Sequence, residues 1–223
     1  MQEEVLKMFS NDLASQAKQF IYKQEKYKNK FLKLLREIYK NYLLIIKDKI
    51  KIPRREIDIQ DILVDDYLSK NIKNYTFIKE KNNNQGRVDI FIQETLSDEK
   101  PEFIIECKVL NSNGMNSKDK LNGKYVSNGI LRFLTEHYYI TNNLYVNAMI
   151  GFVVDEIDIT ENVNRLNELS KKILNNLVNI AKEISLIEPN IYQSNYETIN
   201  NKEFLIYHQM MDFSDNIIIK ESV

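Results

Sequence analysis

Asp89, Glu106 and Lys108 are the residues of this 223-residue chain whose types and spacing could do chemistry. Glu106 and Lys108 stand two apart in FIIECKVL, where every other residue is apolar, and Asp89 interrupts a second apolar run over residues 87–93. Side chains alternate along a strand, so Glu106 and Lys108 share one face while Cys107 turns to the other, toward a layer of helices. An antiparallel neighbour can bring Asp89 beside Glu106 on that face. Two close carboxylates repel, and a divalent cation relieves the repulsion. Hard oxygen donors suit Mg²⁺, with Mn²⁺ as the alternative. Such a cation can acidify a bound water and polarise a phosphodiester. Lys108 can orient or deprotonate that water, or offset charge at the phosphate. Carboxylates with a lysine two positions on are also common on exposed sheet faces. Here they sit in the most apolar strands of the chain, where an unpaired charge is costly.

The elements that must position these residues are readable from the change of period. Residues 75–80, 87–93 and 102–110 are short, rich in Ile, Val and Phe, and separated by NNNQG and LSDEKP, which predicts three strands in an antiparallel meander. Upstream, apolar residues recur at three- and four-residue spacing (Phe31, Leu34, Leu35, Ile38, Tyr42, Ile45), and no Gly or Pro intervenes before Pro53. That pattern predicts one long helix, or two joined near residues 27–30, and then a helix from Pro53 to near Ser69. Downstream, a loop over 111–122 leads to a helix over 124–139 and a strand over 148–154. A further helix is expected from Ile159 through Leu166, Leu169 and Ile173 to Leu177 and Ile180, with last strands at 204–208 and 217–220. The fold class is α/β, organised as an N-terminal helical extension, 1–52, and a second domain, 53–223.

Charge is unevenly spread. The chain holds 31 Lys and Arg against 32 Asp and Glu, yet residues 18–55 alone carry thirteen basic and three acidic residues, a net +10, leaving −11 for the rest. Such asymmetry points to a polyanionic partner or to a solvated lysine-rich helix. No apolar run approaches the roughly 18 residues of a membrane span. One cysteine excludes an internal disulfide, so a cytoplasmic location is expected.

The motif Arg87-Val88-Asp89-Ile90 followed by Glu106-Cys107-Lys108, in the order helix, three strands, helix, strand, resembles the PD-(D/E)xK, restriction-endonuclease-like, nuclease superfamily over about residues 54–155. Val88 stands where the family name implies a proline. The resemblance implies a restriction-endonuclease-like core in which Asp89 and Glu106 hold the metal and Lys108 is catalytic. It also implies a glutamate on the first core helix, which Glu56 matches best, with Asp61 the alternative. After ExK, Tyr125, Gly129, Arg132 and Glu136 share one helical face. This YxxxGxxRF pattern looks like that of bacterial restriction and phage-defence nucleases. Gly129 suggests close approach of another backbone, and Arg132 can reach a phosphate or pair with Glu136 or another acid. Tyr125 can support Lys108 or the metal site. The expected nucleic-acid contacts are Arg132, Tyr125, Arg87, Arg54 and Arg55.

The expected function is therefore metal-dependent hydrolysis of nucleic acid, DNA favoured, as effector of an anti-phage or restriction system. The alternative is a non-catalytic nucleic-acid-binding or scaffold subunit of such a complex. The resemblance implies a dimer or a partner protein. The chain has no GxxxxGK[ST], so a helicase or ATPase would be a separate subunit. Neither His137 nor His208 has a partner at metal-ligand spacing, and a hydrogen-bonded or surface histidine is expected at each.

Overall fold

The computed structural model describes residues 2–83, 86–113, 117–136, 144–175 and 177–218. The chain divides into two compact units, Met1–Leu34 and Leu35–Val223. The division falls within α1 (Gln2–Lys47), a single helix. In the first unit local pairs one turn apart support the helix: Lys28 Nζ donates to Glu25 Oε1 at 2.9 Å, and Tyr27 meets Phe31 edge-on at 6.1 Å.

The second unit is built on one seven-stranded sheet in the order β1-β2-β3-β4-β7-β6-β5. Strands β1 (Tyr75–Asn83), β2 (Gly86–Glu94) and β3 (Glu102–Leu110) pair antiparallel in succession. Then β3 pairs parallel with β4 (Val146–Val153), and β4 parallel with β7 (Glu203–Asp212). The sheet ends in two antiparallel strands, β6 (Ile191–Glu197) and β5 (Asn179–Glu188). A parallel trio at the centre requires both faces to be covered, and every residue of β4 is buried.

Helices on both faces do the covering. Helix α2 (Glu56–Asp61) continues through a π segment, Ile62–Leu68, into a last turn, α3 (Ser69–Asn71). Helix α4 (Leu121–Tyr125) likewise runs through a π segment, Val126–Ile130, into α5 (Leu131–Leu134). Helix α6 (Ile159–Leu174) starts on Asp158, whose carboxylate accepts the Glu161 amide at 2.9 Å. The C-terminal part of α1 lies on the opposite face from α4. Gln209 Nε2 donates to the Leu35 carbonyl at 3.1 Å, whereas the neighbouring His208 meets Tyr125 of α4. Among the described residues no helix is long and apolar enough to cross a membrane.

Three expectations about elements are corrected. The helix after Ile159 ends at Leu174, and Ile180 belongs to β5, so two strands replace the expected helical continuation. Leu177 and Ile180 keep helical spacing with Ile173 by coincidence; Asn175 caps the helix in right-handed geometry, with φ −48° and ψ −31°. The helix expected over 124–139 is Leu121–Leu134, and Glu136 has left it with a positive φ of 55°. Of the strand expected at 217–220, Ile217 makes an isolated parallel bridge to Ile52, and the residues past 218 lie outside the described ones, as does His137.

Candidate active site

The site forms where two strands part. The β2–β3 ladder runs only as far as Ile90 opposite Ile105, one residue short of Asp89 and Glu106. Beyond that point the β3 amides that would face β2 need other acceptors, because a buried N–H left unpaired is costly. Two carboxylates supply them. Asp89 Oδ2 accepts the Cys107 amide at 2.8 Å, and Glu56 Oε2 accepts the Val109 amide at 3.1 Å. Amides two apart on a strand point the same way, so this fork holds a β2 aspartate and an α2 glutamate side by side.

Lys108 closes the arrangement. Its ammonium lies 2.8 Å from Glu106 Oε1, 3.3 Å from Asp89 Oδ2 and 3.5 Å from Glu56 Oε1. Two such distances laid end to end bound the separation of any two of these oxygens, which is inside the roughly 7 Å that one hydrated Mg²⁺ bridges. Burial opposes the Lys108 charge, but Glu106, Asp89 and Glu56 outweigh it and hold the ammonium above its ordinary range. In this arrangement the three carboxylates favour the charged form of Lys108. Burial dominates at Glu56 and raises its carboxyl above the usual carboxylate value, against the pull of Lys108. Glu106 is fully buried and takes a second cation, Arg132 Nη1 at 3.2 Å.

The structure thus gathers Asp89, Glu106, Lys108 and Glu56, with Arg132, and leaves other candidates elsewhere. Asp61 pairs with Lys79, away from the cluster. Tyr125 is fully buried and hydrogen-bonds with His208 Nδ1 at 2.9 Å, so its hydroxyl is not open to nucleic acid. Arg132 pairs with Glu106, not Glu136, which accepts from Thr198 Oγ1 at 3.4 Å. Arg87, Arg54 and Arg55 are exposed and each is paired with a carboxylate: Glu80, Asp155 and Asp58 respectively. Gly129 meets no backbone; a Cβ there would lie 2.1 Å from Met149 Cε. The glycine that faces backbone is Gly123, whose Cβ would fall 2.0 Å from the Lys118 carbonyl oxygen. Cys107 turns its thiol into the core, where burial raises its pKa well above the ordinary value.

Two contributors were not legible in the sequence. The Cys107 carbonyl faces the site, since Lys108 Nζ donates to it; a main-chain oxygen has no residue signature. Asp155, just past β4, ties the start of α2 to the end of β3. It pairs with Arg54 and accepts from the Ser112 amide at 3.1 Å and the Ser112 hydroxyl at 2.9 Å.

A divalent cation suits the donor set. Asp89, Glu106 and the Cys107 carbonyl are hard oxygens, and Mg²⁺ takes few protein ligands. Among the described residues no three His, Cys, Asp or Glu side chains form a ready cage. Lys108 occupies the middle of the carboxylates, and a cation held by Asp89 and Glu106 would compete with it for the same oxygens.

Fold and site together define a mixed α/β protein with a D…ExK carboxylate–lysine centre. Residues 58–141 match the family model of the PD-(D/E)XK nuclease superfamily, so the resemblance read from Asp89, Glu106 and Lys108 is borne out over the segment that holds them. No curated protein and no solved structure matches the chain.

Proposed function

We propose that this protein is a metal-dependent nuclease that hydrolyses phosphodiester bonds of nucleic acid, DNA in preference. The observation that carries the reading is the meeting of Asp89, Glu106 and Lys108 at the β2–β3 fork, inside the segment that matches a nuclease superfamily. Asp89 and Glu106 would hold Mg²⁺ or Mn²⁺. The bound ion would supply charge at the scissile phosphate and acidify water. Lys108 donates to the attacked phosphate or orients the water, Glu56 steadies Lys108 and the Val109 amide, and Arg132 faces the phosphate backbone.

Charge counting over these five residues supports it. Three carboxylates stand against two cations, one positive charge short. A divalent cation turns that deficit into a surplus of one, which a phosphodiester monoanion balances. The basic run over residues 18–55 would steer polyanions, and Arg87, Arg54 and Arg55 would exchange their carboxylates for phosphates. From the resemblance alone, the protein acts in the bacterial cytoplasm as the effector of an anti-phage or restriction system, as a dimer or with a separate helicase or ATPase.

Plasmid nicking with Mg²⁺ or Mn²⁺ tests the reading. Wild type is expected to nick, while Glu106→Ala and Lys108→Ala lose on the order of a hundredfold or more in rate. Equal rates in all three proteins, or no cleavage of any DNA or RNA with metal and partner supplied, would favour a non-catalytic binding subunit.

A further inference from the structure

One helix crosses three strands in step. Tyr125 meets His208 on β7, Gly129 lies on Met149 of β4, and Arg132 reaches Glu106 on β3. The three strand residues form a single row: Glu106 is paired with Met149, and Met149 with His208. Their side chains therefore leave one face of the sheet at one level. The helix is fixed at its far end by a polar contact and at its near end by an ion pair of the site.

The far end is unusual for a core. His208, Tyr125 and Ser194 are all fully buried. His208 uses both ring nitrogens, Nδ1 with the Tyr125 hydroxyl at 2.9 Å and Nε2 with the Ser194 hydroxyl at 2.7 Å. A neutral imidazole has one donor and one acceptor nitrogen, so the tautomer fixes the direction of both bonds together. No group in this chain can turn to water for a replacement, and breaking the Tyr125 contact strands the tyrosine hydroxyl, whereas Ser194 also bonds with Tyr196. Packing alone does not call for it, since apolar residues of similar size would fill the same space. What the hydroxyl–imidazole–hydroxyl chain adds is a directional stop for the helix over β7.

We propose that His208 and Tyr125 are positioning residues of the candidate active site, setting the height at which α5 presents Arg132 to Glu106, with Ser194 holding the far side of the imidazole. The assignment rests on the nuclease reading for its consequence in catalysis, and on geometry alone for the placement of Arg132. Three variants separate the two. Tyr125→Phe removes the hydroxyl. His208→Asn keeps a polar atom near the Nδ1 position, and His208→Gln keeps one near Nε2. The guanidinium NMR resonances of Arg132, assigned against Arg132→Lys, report the ion pair without any cleavage. Plasmid nicking with Mg²⁺ gives kcat and KM, and circular dichroism confirms folding.

Tyr125→Phe and His208→Gln are expected to lose the exchange-protected Arg132 resonances. Their kcat should fall on the order of a hundredfold, the size of loss that a 1 Å misplacement brings, with KM within about threefold. His208→Asn should retain the resonances and most of kcat, a rescue that general core disruption would not produce. Unchanged Arg132 resonances in folded Tyr125→Phe, or equal losses in the two His208 variants, would overturn the proposal. If Tyr125→Phe does not fold, the contrast between His208→Asn and His208→Gln decides the proposal. If wild type cleaves nothing, the nuclease reading falls, while the Arg132 resonances still decide the relay.

Discussion

Two of the three carboxylates around Lys108 do a second job, accepting amides that β3 cannot give to β2. That double duty separates stability from activity at Glu56. Burial raises its carboxyl above the ordinary 4.5, so its ionisation opposes folding. Its contribution is intact at pH below that ordinary value and is lost as pH rises through the raised one. In Glu56→Gln the amide oxygen can still accept from Val109. The variant should melt at or above the wild-type temperature at pH 7, with the gap closing below pH 4.5, while nicking slows on the order of 10–100-fold. A lower melting temperature at pH 7 would show that the charge on Glu56 is needed for folding. Asp89, Glu106 and Lys108 were legible because a charge in an apolar strand of period two stands out. The burial of Tyr125 was not legible because its partner, His208, is 83 residues away, and nothing local marks a tyrosine as belonging inside.

Both helices that flank the site contain π segments, Ile62–Leu68 beside Glu56 and Val126–Ile130 before Arg132. Such widened turns are rare and recur at functional sites; their looser ladder lets the two ends of a helix follow different neighbours. Gly129 sits in the second one, against Met149. A methyl added at Gly129 would meet the terminal methyl of Met149, the far end of a flexible side chain that can swing aside. Gly129→Ala should therefore change the urea-unfolding free energy by less than about 1 kcal/mol, since alanine also favours the helix, and a larger loss would mean that Met149 cannot move. The three site strands and β4 were visible as apolar runs between turn signals, so the positioning frame was legible. The π segments were not, because residue periodicity over five to seven positions cannot tell 3.6 residues per turn from a wider helix. Strands β5 and β6 were hidden for another reason. Edge strand β5 is mostly exposed and broken by register shifts, so it lacks the alternation that announces a strand.

At the scale of the whole molecule, the buried imidazole ties the fold to pH. Burial lowers the pKa of His208 from 6.5 to about 3, so the folded protein holds it neutral. The unfolded chain binds that proton more readily between those values. Stability contributed by the neutral form is therefore full above pH 6.5 and drains as pH falls toward 3, at up to about 1.4 kcal/mol per pH unit. Denaturant titrations from pH 7 to pH 4 should show wild type losing more stability than His208→Gln, and parallel curves would place the histidine in contact with water. The strand that carries His208 has a further consequence, which concerns time. Strand β7 lies between β4 and β6, yet more than 200 residues precede it in the chain. On the ribosome β4 must wait with one edge open while α6, β5 and β6 are made, roughly 3–12 seconds at about 5–20 residues per second. Until β7 slots in, His208 is not there to seat α4, and the nascent chain carries Asp89, Glu106 and Lys108 without the helix that sets Arg132 against them. On the nuclease reading proposed above, the arrangement of the site would be completed only when its central strand arrives.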